Sequence, residues 1–241
     1  MNSEAPFVYH PAASRGGADH GWLQAKHTFS FGQYQDPERM HFGVLRVLND
    51  DIVAPGSGFA KHPHDNMEII TIPLRGSLAH KDSMGNEEVI KAGEIQVMSA
   101  GSGIKHSEFN PSKTEAVNLL QIWLFPNRRE VTPRYQTIPV EYSDEDIFQQ
   151  IVSPHHQDAG AWIYQNAWFY LATLHAGAEV TYKLNEPANG VYIFVISGNI
   201  TVNGQVLSAR DGYGIWTVSE VPITCDADAL ILVMEVPMGF E

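Results

Sequence analysis

The chain has a single cysteine, Cys225, among its 241 residues. A disulfide framework within the chain is thereby excluded, as is any zinc or iron–sulfur centre built from thiolates. Long apolar runs are also missing, with no stretch approaching the roughly 18 residues that a membrane-crossing helix needs. Basic residues are few: 15 Lys and Arg stand against 28 Asp and Glu, for a formal net charge of −13. Wrapping nucleic acid or lying on an anionic bilayer requires a positive face, so neither is expected. The first residues lack the basic-then-apolar layout of a secretory leader, and the expectation is a reduced, cytoplasmic protein.

Helical periodicity is scarce as well. Short apolar or alternating runs dominate instead, at 42–48, 68–74, 95–99, 118–125, 168–174, 191–197, 200–203, 215–218 and 230–236, separated by Gly, Pro, Asn and Asp. Many short strands broken by turn residues indicate an all-β sandwich or barrel. The best helix candidate is 143–151, with Ser143 as N-cap and Asp144, Glu145 and Asp146 in the first turn. Residues 126–139, rich in Pro, Arg and Thr, read as the link between two halves. A faint repeat supports that division. Gly76, the Gly85-Asn86 turn and Gly93 in the first half parallel Gly198, Asn203-Gly204 and Gly212 in the second. Two similar β-barrels in one chain are expected, over residues 1–130 and 131–241.

Histidine is the compositional oddity, with 11 residues. His62 and His64 are two apart, so a strand directs both imidazoles to one face. His106 and Glu108, further along, are again two apart. If the two strands are neighbours, three neutral nitrogens and one carboxylate converge, a set suited to a divalent first-row metal. Four protein ligands around an octahedral ion leave two open positions, the mark of a catalytic centre. Iron(II), manganese, nickel, copper and zinc all remain open on ligand type.

These residues resemble known motifs. Gly56, His62, His64, Glu68 and Gly76 are spaced like the first cupin motif, and Gly93 through His106 to Asn110 like the second. More narrowly, His62-Pro63-His64, the Asp82-to-Asn86 turn and the Ser99-to-Glu108 run resemble the pirin family. Gly21-Trp22-Leu23, His27 to Phe31, Leu45-Arg46-Val47, Asn49-Asp50-Asp51 and Gln121-Ile122-Trp123 also fit it. The second-half hairpin at Asn203-Gly204 is similar to that of the bacterial pirin-like quercetinase branch.

The resemblance implies a bicupin, two face-to-face jelly-roll-like barrels with a few short helices. His62, His64, His106 and Glu108 would hold metal in the first barrel only. The expected cofactor is one divalent transition metal per chain, iron(II) first, with manganese, nickel, copper, cobalt or zinc as alternatives. The implied activity is oxygenative ring opening of a flavonol such as quercetin with release of carbon monoxide, Glu108 doubling as the base. Its partners would be a small aromatic, flavonoid-like substrate and O2; apart from the resemblance, a monomer is the default expectation. Eukaryotic pirins suggest a second reading, a metal-containing, redox-sensing module that binds other proteins without catalysis. Isomerase or hydrolase chemistry stays open too, since the cupin fold hosts many reactions.

The remaining residues take humbler expectations. Glu68 stands at the usual cupin glutamate but is expected beside the ligands or in the packing. The second half has no His-X-His at the matching offsets, where Leu184, Glu186, Cys225 and Ala227 stand instead. Cys225 is expected as a small buried apolar residue. His155 and His156 are read as surface loop, His27 and His80 as structural, and Phe29, Phe31, Phe42 and Trp123 as core.

Overall fold

A computed structural model of the chain describes residues 5–239. Three sheets account for nearly all of it. A seven-stranded sheet runs in the order Arg134–Pro139, Glu94–Ser99, Glu68–Arg75, Val117–Leu124, Leu45–Val53, Leu23–His27, Gly16–Asp19. A four-stranded sheet, Gly58–His64, Ile104–Phe109, Ser77–Asp82 and Glu87–Lys91, completes the first barrel. The second barrel is one nine-stranded sheet built around two long strands, Asn189–Val202 and Glu220–Pro237.

Those long strands serve both walls of their barrel because they bend. Their register shifts three times between Val195 and Ile200. At the bend Gly198 has φ +83°, and a Cβ there would lie 2.0 Å from the Asp228 carbonyl oxygen. Gly76, its counterpart in the repeat, has φ +79° and separates Glu68–Arg75 from Ser77–Asp82. The same left-handed kink thus turns the corner in both barrels, which is what only glycine does at no steric cost. Asn203 and Gly204, at φ +49° and +77°, form the tight turn that joins Val202 to Gln205.

The apolar runs follow from the layering. Tyr192, Phe194 and Ile196 belong to a core shared with Leu120, Ile122 and Leu124 of the first barrel, whereas Val191, Ile193 and Val195 fill the second barrel's interior. Strands buried on both faces have no room for polar alternation. The first barrel differs inside. Its apolar interior is small, centred on Leu23, Ala25, Val53, Leu78, Val117 and Leu119. Thr71, His80, Gln96, His106, Glu108 and Gln121 are buried among its strands.

Two expectations need correction. Residues 143–151 are not helical; among the described residues the helix content is one 3-10 turn, Ala12–Ser14. The Ser143 hydroxyl does accept the Glu145 N–H, at 3.3 Å, but Asp146 turns to φ +55° and its carboxylate accepts the His175 N–H. Pairing of Gln149–Ser153 with Trp168–Leu174 then takes the remainder into the sheet. A cap signal worth about 1 kcal/mol yields to such pairing. Sheet membership also crosses the 130/131 division. Phe7–His10 pairs with Gly212–Trp216 of the second barrel, and Arg134–Pro139, read as linker, pairs with Glu94–Ser99 of the first.

Candidate metal centre

Strands Gly58–His64 and Ile104–Phe109 are antiparallel neighbours, with His62 opposite His106. Paired residues share a face, so the two histidines meet inside the barrel. Phe59 and His62 are an odd number of residues apart and would ordinarily face opposite ways. A bulge resolves this: from His106 to Glu108 the partner strand advances from His62 to Phe59, one residue more. The extra residue turns Phe59, His62 and His64 all inward.

The imidazole nitrogens of His62, His64 and His106 lie within 4.8 Å of one another, and so do the donor atoms of His80, His106 and Glu108. His106 joins the two sets. His62 Nδ1–H donates to the Ala60 carbonyl at 2.8 Å, leaving Nε2 with a free lone pair. For His106 the proton is placed by a chain: Asp82 Oδ2 accepts from His80 Nε2–H at 3.3 Å, and His80 Nδ1 stands 3.5 Å from His106 Nδ1 as its acceptor. Asp82 is itself pinned by the Met84 and Asn86 amides and by the Asn86 side chain. The two free Nε2 atoms then face each other at 3.0 Å. Two lone pairs at that distance repel unless a cation lies between them. Donors about 2.1 Å from an ion and at right angles are about 3.0 Å apart, so the spacing suits two adjacent ligands of an octahedral metal.

The carboxylate fits the same test. Glu108 is fully enclosed; its Oε2 accepts from Gln121 Nε2 at 3.1 Å, and Gln121 Oε1 accepts from the Thr71 hydroxyl at 2.8 Å. Oε1 has no hydrogen-bond partner among the described residues. An enclosed carboxylate oxygen left unpaired is costly, and a metal ion is the partner the donor set best accommodates. Burial, opposed by the Gln121 hydrogen bond, pushes Glu108 up to about 7. Burial with the neighbouring imidazoles pushes His64 down to about 4 and His106 to about 2. Both are therefore neutral ligands at pH 7.

A cavity of about 230 Å³ opens beside these groups. His62, His64, Glu108 and Gln121 form its polar end; Asn49 and Asp51 stand on its wall with Leu23, Ala25, Phe31, Phe59 and Trp123. Trp123 meets the edge of His64 at 4.9 Å between ring centroids, and Phe31 meets Trp123 at 5.4 Å. A larger cleft of about 460 Å³ near Asn127 and Gln165 carries none of the imidazoles.

Of the residues singled out in the sequence, His62, His64 and His106 converge directly, and Glu108 joins them through His106 and the shared cavity. Glu68 is in neither convergent set; buried, it accepts the Ser99 hydroxyl at 2.7 Å. Cys225 is buried in the second barrel's apolar core, and His155 and His156 are exposed. Phe29 and Phe42 are core, but Phe31 and Trp123 line the cavity, contrary to expectation. His80, read as structural, orients His106. Asn49, Asp51 and Gln121 entered the sequence reading only as part of the family resemblance, with no role at the site. The signal for the first two was present: they are polar residues two apart on the face of Leu45–Val53 whose other members, Leu45, Val47 and Val53, are apolar and buried.

Two family models match successive parts of the chain. The Pirin family model matches residues 9–124, and the model described as quercetinase C-terminal cupin domain matches residues 150–236. The chain is 42% identical over 226 residues to a quercetin 2,3-dioxygenase of Escherichia coli K12, covering 94% of this chain and 96% of that one. A pirin-like protein of Caulobacter vibrioides is 43% identical over 227 residues, covering 93% and 97%. The crystal structure of YhhW from Escherichia coli superimposes with a TM-score of 0.92 at 40% identity, covering 98% of this chain and 100% of that one. A second structure, of bacterial pirin YhhW in complex with nickel(II), also gives a TM-score of 0.92 at 40% identity, over 96% and 99%.

Proposed function

The chain belongs to the pirin family, and from that premise we propose that it is a cytoplasmic, monomeric, metal-dependent dioxygenase. Its reaction opens the heterocyclic ring of a flavonol such as quercetin with O2 and releases carbon monoxide. The observation that carries this reading is the enclosed cluster of free donors, the His62 and His106 Nε2 lone pairs and Glu108 Oε1, at the end of an aromatic-walled cavity. His62, His64, His106 and Glu108 would hold one divalent transition metal, with iron(II) the first choice. Support for a metal also comes from the nickel(II) complex of the related Escherichia coli pirin.

When bound, such an ion supplies Lewis acidity and two adjacent positions that a flavonol's 3-hydroxyl and 4-carbonyl can share. The chain's residues do the rest. Phe31, Phe59 and Trp123 give a planar aromatic molecule an apolar wall that keeps water from it. The Glu108 carboxylate doubles as the base that takes the 3-hydroxyl proton, while the Thr71–Gln121 chain holds Oε2 and so fixes the direction in which Oε1 points. Deprotonated, the flavonol is electron-rich enough to react with O2. Both oxygen atoms remain in the ring-opened ester, and the carbon that bore the 3-hydroxyl leaves as carbon monoxide.

Metal analysis paired with oxygen uptake on quercetin, run beside His62→Ala and Glu108→Ala, tests the reading. About one metal per chain, with turnover lost in both variants, is expected. Metal binding without flavonol consumption across iron, manganese, nickel and copper reconstitutions would refute catalysis and favour the redox-sensing module.

A further inference from the structure

Three consecutive polar residues, Asn49, Asp50 and Asp51, interrupt the apolar strand Leu45–Val53. Two of them have work in the fold. Asn49 Oδ1 accepts from the His27 ring at 2.9 Å. Asp50 accepts from Asn118 Nδ2 at 2.9 Å and pairs with Arg15 and Arg210. Asp51 has none. It is 4% exposed, its side chain takes no hydrogen bond from any described residue, and its Oδ1 is enclosed without a partner.

Its position answers why such a group persists. Asp51 lines the same cavity as His62, His64 and Glu108, yet belongs to neither convergent donor set. Leu23, Ala25, Phe31 and Phe59 around that cavity offer it no side-chain donor. Trp123, on the same wall, likewise has no partner for its Nε1–H among the described residues. A buried unpartnered carboxyl weakens a fold, and polar atoms left open around an apolar cavity are a usual way to orient a ligand.

We propose that Asp51 is a specificity-determining residue: its carboxyl accepts a hydrogen bond from a phenolic hydroxyl of the aromatic substrate other than the one facing Glu108. The site therefore selects polyhydroxylated rings over the bare chelating pair. This inference rests on the flavonol reading of the cavity. Burial, with Asp50 and Glu108 nearby, pushes Asp51 up to about 8. An acceptor oxygen is present in either protonation state, so the contact does not depend on which one prevails.

The test is anaerobic calorimetry on the metal-loaded protein, with quercetin and with 3-hydroxyflavone, which keeps the chelating pair but has no other hydroxyl. The wild type, Asp51→Leu and Asp51→Asn are compared. Asp51→Leu is expected to weaken quercetin by about tenfold or more while leaving 3-hydroxyflavone unchanged, and Asp51→Asn, which retains an acceptor, to recover part of the difference. Thermal melting of Asp51→Leu at or above the wild-type temperature would show the loss is not one of folding. An unchanged ratio of the two affinities in Asp51→Leu overturns the proposal, even if oxygen uptake proves the wild type a flavonol dioxygenase. Asp51-dependent selectivity without oxygen uptake removes the dioxygenase reading and leaves the role of Asp51 standing. Binding of neither flavonol by the wild type overturns both.

Discussion

Gly58→Ala tests whether the centre depends on the close approach of its two strands. Gly58 lies opposite Phe109, at the start of the strand that carries His62 and His64. A Cβ there would stand 2.1 Å from the Glu108 carbonyl oxygen and 2.6 Å from the Phe109 Cα. Both obstacles are backbone, so no side chain can swing aside. Relief requires the strands to part by about 1 Å, at a cost of about 1–3 kcal/mol in a packed barrel. Because the displaced carbonyl belongs to Glu108, the carboxylate moves away from His62 and His64. Metal donors tolerate errors of only about 0.2 Å, and a misplacement of about 1 Å at a reacting centre costs roughly a hundredfold in rate. The assay is metal affinity against a competing chelator, with melting temperature and oxygen uptake on the same preparations. Lys61→Ala, an exposed position on the same strand, is the control and is expected to behave as wild type. Wild-type metal affinity and melting temperature in Gly58→Ala would refute the reasoning.

Other outcomes follow from the same geometry. Asp82→Asn should lower metal affinity about 10- to 100-fold, because its one oxygen is kept by the Met84 and Asn86 amides and an N–H donor then faces His80, which loses the acceptor that sets the His106 tautomer; a titration with unchanged affinity would deny the chain that role. Removing metal with a chelator should lower the melting temperature, and restoring metal should raise it by an amount that grows with the metal concentration, as binding to the folded state alone requires. A melting temperature independent of metal would argue against the centre. The buried His10, bonded to the Tyr192 hydroxyl at 2.8 Å, is pushed down to about 4, first by burial and then by Arg39. It stays neutral in the folded chain while the unfolded chain takes a proton near pH 6.5. Its contribution is thus complete above pH 6.5 and falls by about 3 kcal/mol as pH drops toward 4. His10→Gln should flatten that part of the stability–pH curve, measured by denaturant unfolding at fixed metal; an unchanged slope would show that His10 does not cause it.

Much of the site was legible because a strand's period of two is a local rule. His62 with His64, and His106 with Glu108, share faces whatever the rest of the chain does. Residues whose roles depend on partners far along the chain were not legible. His80 orients His106 only because Ser77–Asp82 lies beside Ile104–Phe109. Phe31 and Trp123 are aromatic residues of ordinary core type, and nothing local distinguishes those that face a cavity from Phe29 and Phe42, which do not. The failed helix at 143–151 has the same origin. Its cap signal is local, whereas the pairing that displaced it comes from Trp168–Leu174.

The sequence by itself determined the β architecture, the two glycine-kinked halves and the confinement of the histidine pairs to the first of them. Periodicity, turn chemistry and residue type act over a few positions and need no partner. Tertiary structure alone decided the bulge that turns Phe59 inward with His62 and His64, the exchange of edge strands between the barrels, and the unpaired state of Asp51. Each is a property of pairs brought together across the chain, and strand register, closure and the satisfaction of a buried polar atom exist only once those pairs have met.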